Sequence, residues 1–347
     1  MQTKATTRRQ FLRTTSAVAG GLLIATPAVH AAPAILRYYN KPNSVINGVQ
    51  IGTITYSFRS MPDQSAEATL GYVTDAGISA IELMGEPAES FAGAPESSVD
   101  RGKMYGMMRK QRDGELSDTE KAELEEMRAA LEDHQRAVAV WRAGADMKKF
   151  RQLRRMYADA GVSIYGFKPS AFGKNNSDAE IDYGLRAAKT LGASHVTLEH
   201  PGDDAWTAKL GEMARKHGVR VAYHGHTQQT PDFWDTALRQ SAANALNFDA
   251  GHYVAAGYDP LELMRSKHAS IASMHTKDRT TPAHGQQNLP WGEGDTPIAE
   301  MLDLMRRGKY NFPATVELEY EVPEGSDAVQ EVARCLEFCR EALAQAR

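Results

Sequence analysis

Short apolar runs alternate with amphipathic segments along the chain from Val49 onward. Eight runs rich in β-branched or aromatic residues predict strands, at 49–56, 78–83, 162–167, 195–198, 219–223, 245–248, 271–274 and 314–318. Eight segments of helical periodicity follow them, at 66–76, 147–160, 178–191, 206–217, 231–239, 260–267, 297–306 and 328–344. Strict alternation of strands and helices indicates a parallel sheet. Eight such units predict a closed (β/α)8 TIM barrel of the α/β class.

One segment, residues 86–145, interrupts this alternation after the second strand. It opens with a Gly-, Pro- and Ser-rich stretch at 85–98, which predicts a loop. A charged helical run from Asp118 to Arg142 follows, and it begins with the capping-box sequence Ser117-Asp118-Thr119-Glu120. In a barrel this helical insertion would rise from the face formed by the strand C-termini. We consider three interpretations: a lid, a contact to a partner subunit in a homo-oligomer, or a solvated helical hairpin.

The first 31 residues have the pattern of an export signal. Thr7-Arg8-Arg9-Gln10-Phe11-Leu12-Arg13 resembles the twin-arginine motif, and an apolar stretch from Ala17 to Ala28 follows it. Val29-His30-Ala31 offers small residues for cleavage. We therefore expect a signal peptide at 1–31, a periplasmic location and a barrel domain at 45–347. The twin-arginine route carries folded proteins, which allows a metal ion to be loaded before export.

Composition and charge narrow the class of partner. The chain has 347 residues, of which 42% are hydrophobic and 24% charged, as in ordinary soluble globular proteins. Loss of the signal would change the formal net charge from −4 to −8, because residues 1–31 contain four cations and no acid. Nucleic-acid binding needs clustered Lys and Arg. We therefore expect no nucleic-acid partner, and no membrane partner once the signal is removed.

Acids and imidazoles end five consecutive predicted strands. The sequences are Glu199-His200, His224-Gly225-His226, Asp249-Ala250-Gly251-His252, His275-Thr276-Lys277-Asp278 and Glu317-Leu318-Glu319. The C-terminal ends of barrel strands meet at one face, so these side chains should converge. Glu317 and Glu319 are two residues apart and should point to the same side. Carboxylates with imidazoles suit one divalent ion: Mn, Co or Zn, or Mg if carboxylates dominate.

The last two thirds of the chain resembles the xylose-isomerase-like barrels. That superfamily includes sugar isomerases, 3-epimerases, inosose dehydratases and abasic-site endonucleases. The resemblance lies in Tyr223-His224-Gly225-His226, Asp249-x-x-His252, His275-Thr276-Lys277-Asp278, Gly292-Glu293-Gly294-Asp295 and Val316–Tyr320. In such enzymes Glu, Asp, His and Glu from four strands hold one metal ion. The resemblance therefore implies a single divalent metal ion as cofactor.

Carried over residue by residue, the resemblance assigns metal ligands. The predicted set is Glu199, Asp249, His275 and Glu319. Two positions stay open. Glu317 competes with Glu319 for the fourth place. His224 competes with Glu199 for the first, because the strand that carries the first Glu in epimerases ends here in His224.

The remaining strand-end residues are predicted to act on the substrate. The predicted catalytic group is His224, Glu317 and Lys277, and the predicted substrate contacts are Glu82, His226 and His252. For Glu82 two interpretations stay open, since it could orient a hydroxyl or pair with a neighbouring loop.

We expect the reaction to be abstraction of a proton next to a sugar carbonyl. The metal ion would stabilise the enediolate, and His224 or Glu317 would remove the proton. Return of the proton elsewhere gives an isomerase or epimerase. Loss of a group from the β position gives a lyase, or in reverse a hydratase, acting on 3-keto-glycosides. The expected substrate is a free sugar or keto-glycoside. Metal-dependent hydrolysis and a non-catalytic sugar-binding module are the less favoured alternatives.

Overall fold

The protein is described by a computed structural model over residues 41–345, and a parallel barrel dominates it. Eleven strands occur in this part of the chain: β1 (Val45–Ile46), β2 (Val49–Ile54), β3 (Ala80–Met84), β4 (Ser163–Lys168), β5 (His195–Glu199), β6 (Arg220–His224), β7 (Asn244–Asp249), β8 (Ile271–Thr276), β9 (Asp278–Arg279), β10 (Asn288–Leu289) and β11 (Ala314–Val316). The barrel order is β2-β11-β8-β7-β6-β5-β4-β3, and β3 pairs with β2 to close it. The predicted TIM barrel is confirmed.

Helices cover the outside of the barrel. The described helices are α1 (Ala66–Asp75), α2 (Gly85–Ala92), α3 (Arg101–Asp113), α4 (Asp118–Gly144), α5 (Met147–Asp159), α6 (Asp178–Leu191), α7 (Asp204–His217), α8 (Asp235–Gln240), α9 (Ala250–Ala255), α10 (Pro260–Lys267), α11 (Ile298–Gly308) and α12 (Ala328–Gln345). Short 3-10 turns occupy Thr55–Phe58, His268–Ser270 and Pro282–His284. Every residue of β7 and β8 is buried, as expected for parallel strands covered on both faces.

Two short antiparallel pairings flank the barrel. β1 pairs with β2, and β9 pairs with β10 in the segment after β8. Within residues 41–345, no helix is both long and apolar enough to cross a membrane. The predicted export signal at 1–31 lies outside the described residues and stays a prediction.

The stretch predicted as a loop at 85–98 begins instead with helix α2. Pro87 is the third helical residue, in the first turn, where the backbone N–H has no helical partner to lose. Gly93 ends the helix with φ 90°, a left-handed conformation that favours glycine. Here Gly and Pro mark the two ends of a helix rather than a loop. The predicted helix at 118–142 is confirmed as α4, with the capping box of Ser117 and Glu120.

Helices α3 and α4 form a hairpin with a small apolar core of its own. Met104, Met107, Leu116 and Leu124 are buried together there. The lid, the subunit contact and the solvated hairpin stay predictions for this segment.

A buried arginine fastens the end of α4 to the barrel. Arg142 Nε and Nη2 donate to the two carboxylate oxygens of Glu89 at 2.9 and 3.0 Å. Its Nη1 donates to the Ser170 carbonyl at 2.9 Å and to Glu180 at 3.3 Å. Arg142, Glu89 and Glu180 are all buried. Such a bidentate pair with its hydrogen bonds satisfied is among the stronger ion pairs in proteins.

We predict that Arg142→Met lowers the free energy of unfolding by about 3–5 kcal/mol, because it leaves buried carboxylates without their cation. Arg136→Met is the matched control. Arg136 lies on the same helix, exposed, and pairs with Asp133 at the surface. The control should cost less than about 1 kcal/mol. Urea denaturation of both variants provides the measurement. Equal losses would show that the Arg142 network is not fastening the helix.

Candidate functional site

The strand-end acids and imidazoles meet at one end of the barrel, as predicted. A lysine lies at their centre. Lys277 Nζ is 3.0 Å from Asp249 Oδ2 and 2.7 Å from one oxygen each of Glu317 and Glu319. The side chain of Lys277 is only 3% exposed. Burial lowers the pKa of this ammonium, but the three carboxylates outweigh burial and raise it well above its usual value. Lys277 is therefore a permanent buried cation.

His275 bridges Glu317 and a fourth carboxylate, Glu82. Its Nδ1 lies 3.0 Å from Glu317 Oε2, and its Nε2 lies 3.1 Å from Glu82 Oε2. Burial disfavours the charged ring, but Glu317 and Glu82 outweigh burial and raise the pKa of His275 to about 10. Burial likewise raises the pKa of Glu82, while His275 offsets this and brings it down to about 2. His275 is thus an imidazolium that donates both N–H groups to carboxylates.

The cluster of carboxylates around Lys277 and His275 carries more negative than positive charge. Four carboxylates (Glu82, Asp249, Glu317 and Glu319) face two cations, Lys277 and His275, so the formal charge of the cluster is −2. Asp249 Oδ2 is buried and, although 3.0 Å from Lys277 Nζ, it makes no hydrogen bond of proper geometry within residues 41–345. A buried cluster with this charge and an oxygen without a hydrogen bond fits a divalent cation.

Two groups of side chains could offer ligand atoms to an ion. One group is His224, Asp249 and His275, and the other is His224, His226 and His252; in each, the ligand atoms lie within 4.8 Å of one another. Of the four predicted ligands, these groups contain Asp249 and His275 but, among the described residues, neither Glu199 nor Glu319.

Glu199 lies at the rim of the barrel, with a side chain that is 51% exposed. It pairs with Lys168 at 3.0 Å and with His226 Nδ1 at 3.4 Å. Its neighbour across the sheet is His224, which is buried and points inward. Of the two candidates for first metal ligand, the structure brings His224 rather than Glu199 next to Asp249 and His275.

Glu317 and Glu319 both point to the same side, as their spacing predicts. Strand β11 ends at Val316, two residues earlier than expected, yet both carboxylates reach Lys277. Glu317 is nearly buried, while the side chain of Glu319 is 23% exposed. Lys277 and His275 outweigh burial and hold the pKa of Glu317 well below its usual range. Glu317 Oε2 is thus shared by two buried cations, and the catalytic role predicted for Glu317 stays a prediction.

A second layer of polar residues, missed by sequence reasoning, supports this cluster from inside the barrel. Asn247 Nδ2 donates to Glu82 Oε2 at 2.9 Å and to Ser273 Oγ at 2.8 Å. His195 Nε2 lies 3.0 Å from the same Ser273 Oγ. Asn247 and Ser273 each precede a cluster residue by two positions on their strands. The two-residue period of strands was the signal that could have found them.

The loop after β8 packs against the site through two neighbouring residues. Asp278 accepts backbone N–H groups of Gly292, Gly294 and Thr296 at 2.8 to 3.1 Å. Arg279 donates to His252 Nδ1 and to the Gln286 carbonyl. The loop therefore belongs to the same face of the barrel as the cluster.

Gly251 leaves the space through which Lys277 enters. A Cβ added at Gly251 would overlap Lys277 Cγ and lie 2.7 Å from the Lys277 carbonyl oxygen. The Asp249-Ala250-Gly251-His252 turn thus needs glycine because Lys277 approaches its backbone closely. The reason is space and not the backbone angle of Gly251.

Comparison with known proteins agrees with this architecture. The family model described as xylose isomerase-like TIM barrel matches residues 73–340. Among curated proteins, an inosose dehydratase of Clostridium perfringens (strain 13 / Type A) is 26% identical over 118 residues, which are 33% of this chain and 37% of that protein. The chain therefore spans little more than a third of this curated relative.

Two solved structures share the fold over nearly their whole length. A xylose isomerase domain protein from Planctomyces limnophilus has a TM-score of 0.55 at 15% identity, covering 86% of this chain and 98% of its own. The 3-keto-D-glucoside 4-epimerase from E. coli has a TM-score of 0.54 at 10% identity, covering 84% and 99%. Identities this low establish the fold alone.

We predict that Gly251→Ala lowers the free energy of unfolding by about 1–3 kcal/mol, the usual cost of overpacking, because the new methyl group displaces Lys277 from its carboxylates. Gly71→Ala is the matched control, since nothing lies within 4 Å of a Cβ at this helical glycine. There the substitution should stabilise by up to about 1 kcal/mol. Thermal and urea unfolding would measure both. A neutral Gly251→Ala would mean that Lys277 does not occupy the described position.

Proposed function

The chain belongs to the xylose isomerase-like TIM barrel family, and we propose that it is a divalent-metal-dependent enzyme that abstracts a proton next to a sugar carbonyl. The observation that carries the proposal is the buried carboxylate cluster of formal charge −2, placed where barrel enzymes keep their active sites. The similarity to the inosose dehydratase supports it, because loss of a proton beside a carbonyl can begin a dehydration.

Asp249 and Glu319 are the ligands that we propose with most support for the divalent ion. In the part of the chain that the structure describes, Asp249 Oδ2 makes no hydrogen bond, and Glu319 is the most exposed carboxylate of the cluster. His275 would join as a ligand by giving up a proton together with its hydrogen bond to Glu82 or Glu317. This carboxylate-rich set favours Mg or Mn over Zn. The bound ion would supply a Lewis acid that polarises the substrate carbonyl.

The protein's own side chains would divide the remaining work. His224 accepts the proton through Nε2, which points toward Asp249 at 3.9 Å. Burial lowers the pKa of His224 to about 4, so the ring is neutral at neutral pH and can take a proton. Lys277 holds the carboxylates together and adds positive charge beside the developing oxyanion. His252, Glu82 and His226 remain the proposed substrate contacts.

A lyase outcome is the second candidate, favoured by the curated dehydratase relative. It shares the proton abstraction and differs in the departure of a protonated leaving group from the β carbon: water, or the aglycone alcohol of a 3-keto-glycoside. Product analysis separates the two outcomes, since a lyase product has lost water or the aglycone and an epimerase or isomerase product has the mass of its substrate.

Proton exchange in heavy water tests the proposed function. With Mn²⁺ or Mg²⁺, the enzyme should incorporate deuterium next to the carbonyl of a 3-keto-glucoside or an inosose, measured by NMR. His224→Gln should slow exchange by about 10²–10⁴-fold, the usual contribution of a general base. His217→Gln, at the outer end of α7, is the control and should leave the rate unchanged. Absence of exchange across the panel, with metal bound, would overturn the proposal.

Metal content provides an independent readout. Elemental analysis should find about one divalent ion per chain, as in other single-metal barrels. The double variant Asp249→Ala, His275→Ala should lose the ion, because it removes the central oxygen ligand and the adjacent imidazole. Tight metal binding by the double variant would refute this ligand assignment. A chain that never binds a metal would instead favour the non-catalytic sugar-binding module.

We also propose that the chain is exported to the periplasm by the twin-arginine route. The sequence Thr7-Arg8-Arg9-Gln10-Phe11 and the apolar stretch after it support the proposal. Replacing Arg8 and Arg9 by Lys should leave the protein in the cytoplasmic fraction of a bacterial host at full length. Arg13→Lys, outside the pair, should not block export. Equal export of both variants would contradict the proposal that Arg8 and Arg9 form a twin-arginine signal.

A further inference from the structure

His224 and His252 lie at the mouth of the barrel, and one ring nitrogen of each contacts a fixed partner. The partner atom of His224 can only accept a hydrogen bond, and that of His252 can only donate one. We propose that Asn247 and Arg279 are positioning residues that fix opposite tautomers on His224 and His252. The mouth then presents one bare ring nitrogen and one ring N–H to the substrate. This inference rests on the proposed function, because it assigns the two rings separate parts in proton abstraction.

The orientation of the Asn247 amide follows from its contact with Glu82. A carboxylate only accepts hydrogen bonds, so the group 2.9 Å from Glu82 Oε2 must be the donor Nδ2. The second hydrogen of Nδ2 goes to Ser273 Oγ at 2.8 Å. The amide cannot be flipped without placing its oxygen against the carboxylate. Asn247 Oδ1 is therefore fixed toward His224.

That orientation determines the tautomer of His224. Asn247 Oδ1 lies 2.8 Å from His224 Nδ1 and can only accept, so Nδ1 must carry the proton. In the neutral ring Nε2 is then bare. Only this tautomer can act as a proton acceptor through Nε2, which is the nitrogen on the side of Asp249.

Arg279 imposes the opposite tautomer on His252. Its Nη1 contacts His252 Nδ1, and a guanidinium has donors but no acceptor, so Nδ1 must be bare. The proton of the neutral ring is on Nε2. Arg279 Nη2 donates to the Gln286 carbonyl, which holds the guanidinium in place. His252 Nε2 is buried and, within the described residues, has no hydrogen-bond partner. It is an unused donor, and a substrate oxygen would satisfy it.

The two rings are close enough to act on one small molecule, since one nitrogen of each lies within 4.8 Å of the other. In the proposed step, the C–H bond next to the carbonyl breaks and its proton goes to His224 Nε2. The electron pair stays on the substrate and moves toward the carbonyl oxygen. His252 Nε2–H donates to an oxygen of the substrate. The site therefore selects a ligand with an acidic C–H and an oxygen acceptor on neighbouring carbons, as in a keto-sugar. It also excludes His252 Nε2 as a metal ligand.

Nitrogen-15 NMR of the histidine-labelled, metal-free protein tests the tautomers directly. The signals of His224 and His252 are assigned by their loss in His224→Gln and His252→Gln. We expect the wild-type protein to show Nδ1–H for His224 and Nε2–H for His252. Asn247→Ala should turn only the His224 signals into a mixture of tautomers. Arg279→Met should do so only for His252, and Arg279→Lys, which restores a donor, should return the Nε2–H form.

The two positioning variants control for each other. A general loss of structure would disturb both rings, whereas the proposal predicts one ring for each variant. The same tautomer on both histidines of the wild type, or rings that do not respond to Asn247→Ala and Arg279→Met, would overturn it. Correct tautomers without deuterium exchange would reject the proposed function while keeping this inference. Deuterium exchange with the wrong tautomers would reject this inference while keeping the proposed function.

Discussion

The burial of three carboxylates inside one barrel, with Glu319 half-buried beside them, is the constraint on which the site depends. An isolated buried carboxylate costs several kcal/mol, so its charge must be met by a cation or it takes up a proton. β8 and the residue after it supply both cations, His275 and Lys277, two positions apart on the same side. Because the strands are parallel and in register, these cations reach acids from β3, β7 and the end of β11. The arrangement of the strands therefore also brings each buried acid next to a cation.

The barrel and the convergence of the strand ends could be predicted from the sequence, because both follow from periodicity. A strand that alternates with a helix can join only a parallel sheet, and its last residues must lie at the common face. The error at 85–98 shows the limit of such reasoning. Pro87 and Gly93 act at the ends of a helix, and only the packing of α2 against the barrel distinguishes this from a loop.

The details of the site could not be predicted in the same way. Glu199 and His224 are paired neighbours on adjacent strands, yet one lies at the rim and the other inside. Glu199 pairs with Lys168 at the rim, whereas His224 contacts Asn247 inside the barrel, and the sequence does not reveal either partner. The tautomers of His224 and His252 are even harder to predict from the sequence, because they depend on the partners of Asn247 and Arg279. Each tautomer depends on a contact between side chains on different elements of the fold, and on a second contact that orients the partner of the histidine.

Charge also limits the kind of substrate that the site can favour. The cluster has a formal charge of −2, which one divalent ion would neutralise. The cations nearest to it are already engaged, since Lys168 pairs with Glu199 and Arg279 bonds to His252 and the Gln286 carbonyl. A phosphate group must exchange its water for charged donors and would gain little here. A neutral sugar needs only oriented donors and acceptors, of the kind that His252 and His224 provide. Charge balance therefore supports the proposal that the substrate is a free keto-sugar rather than a sugar phosphate.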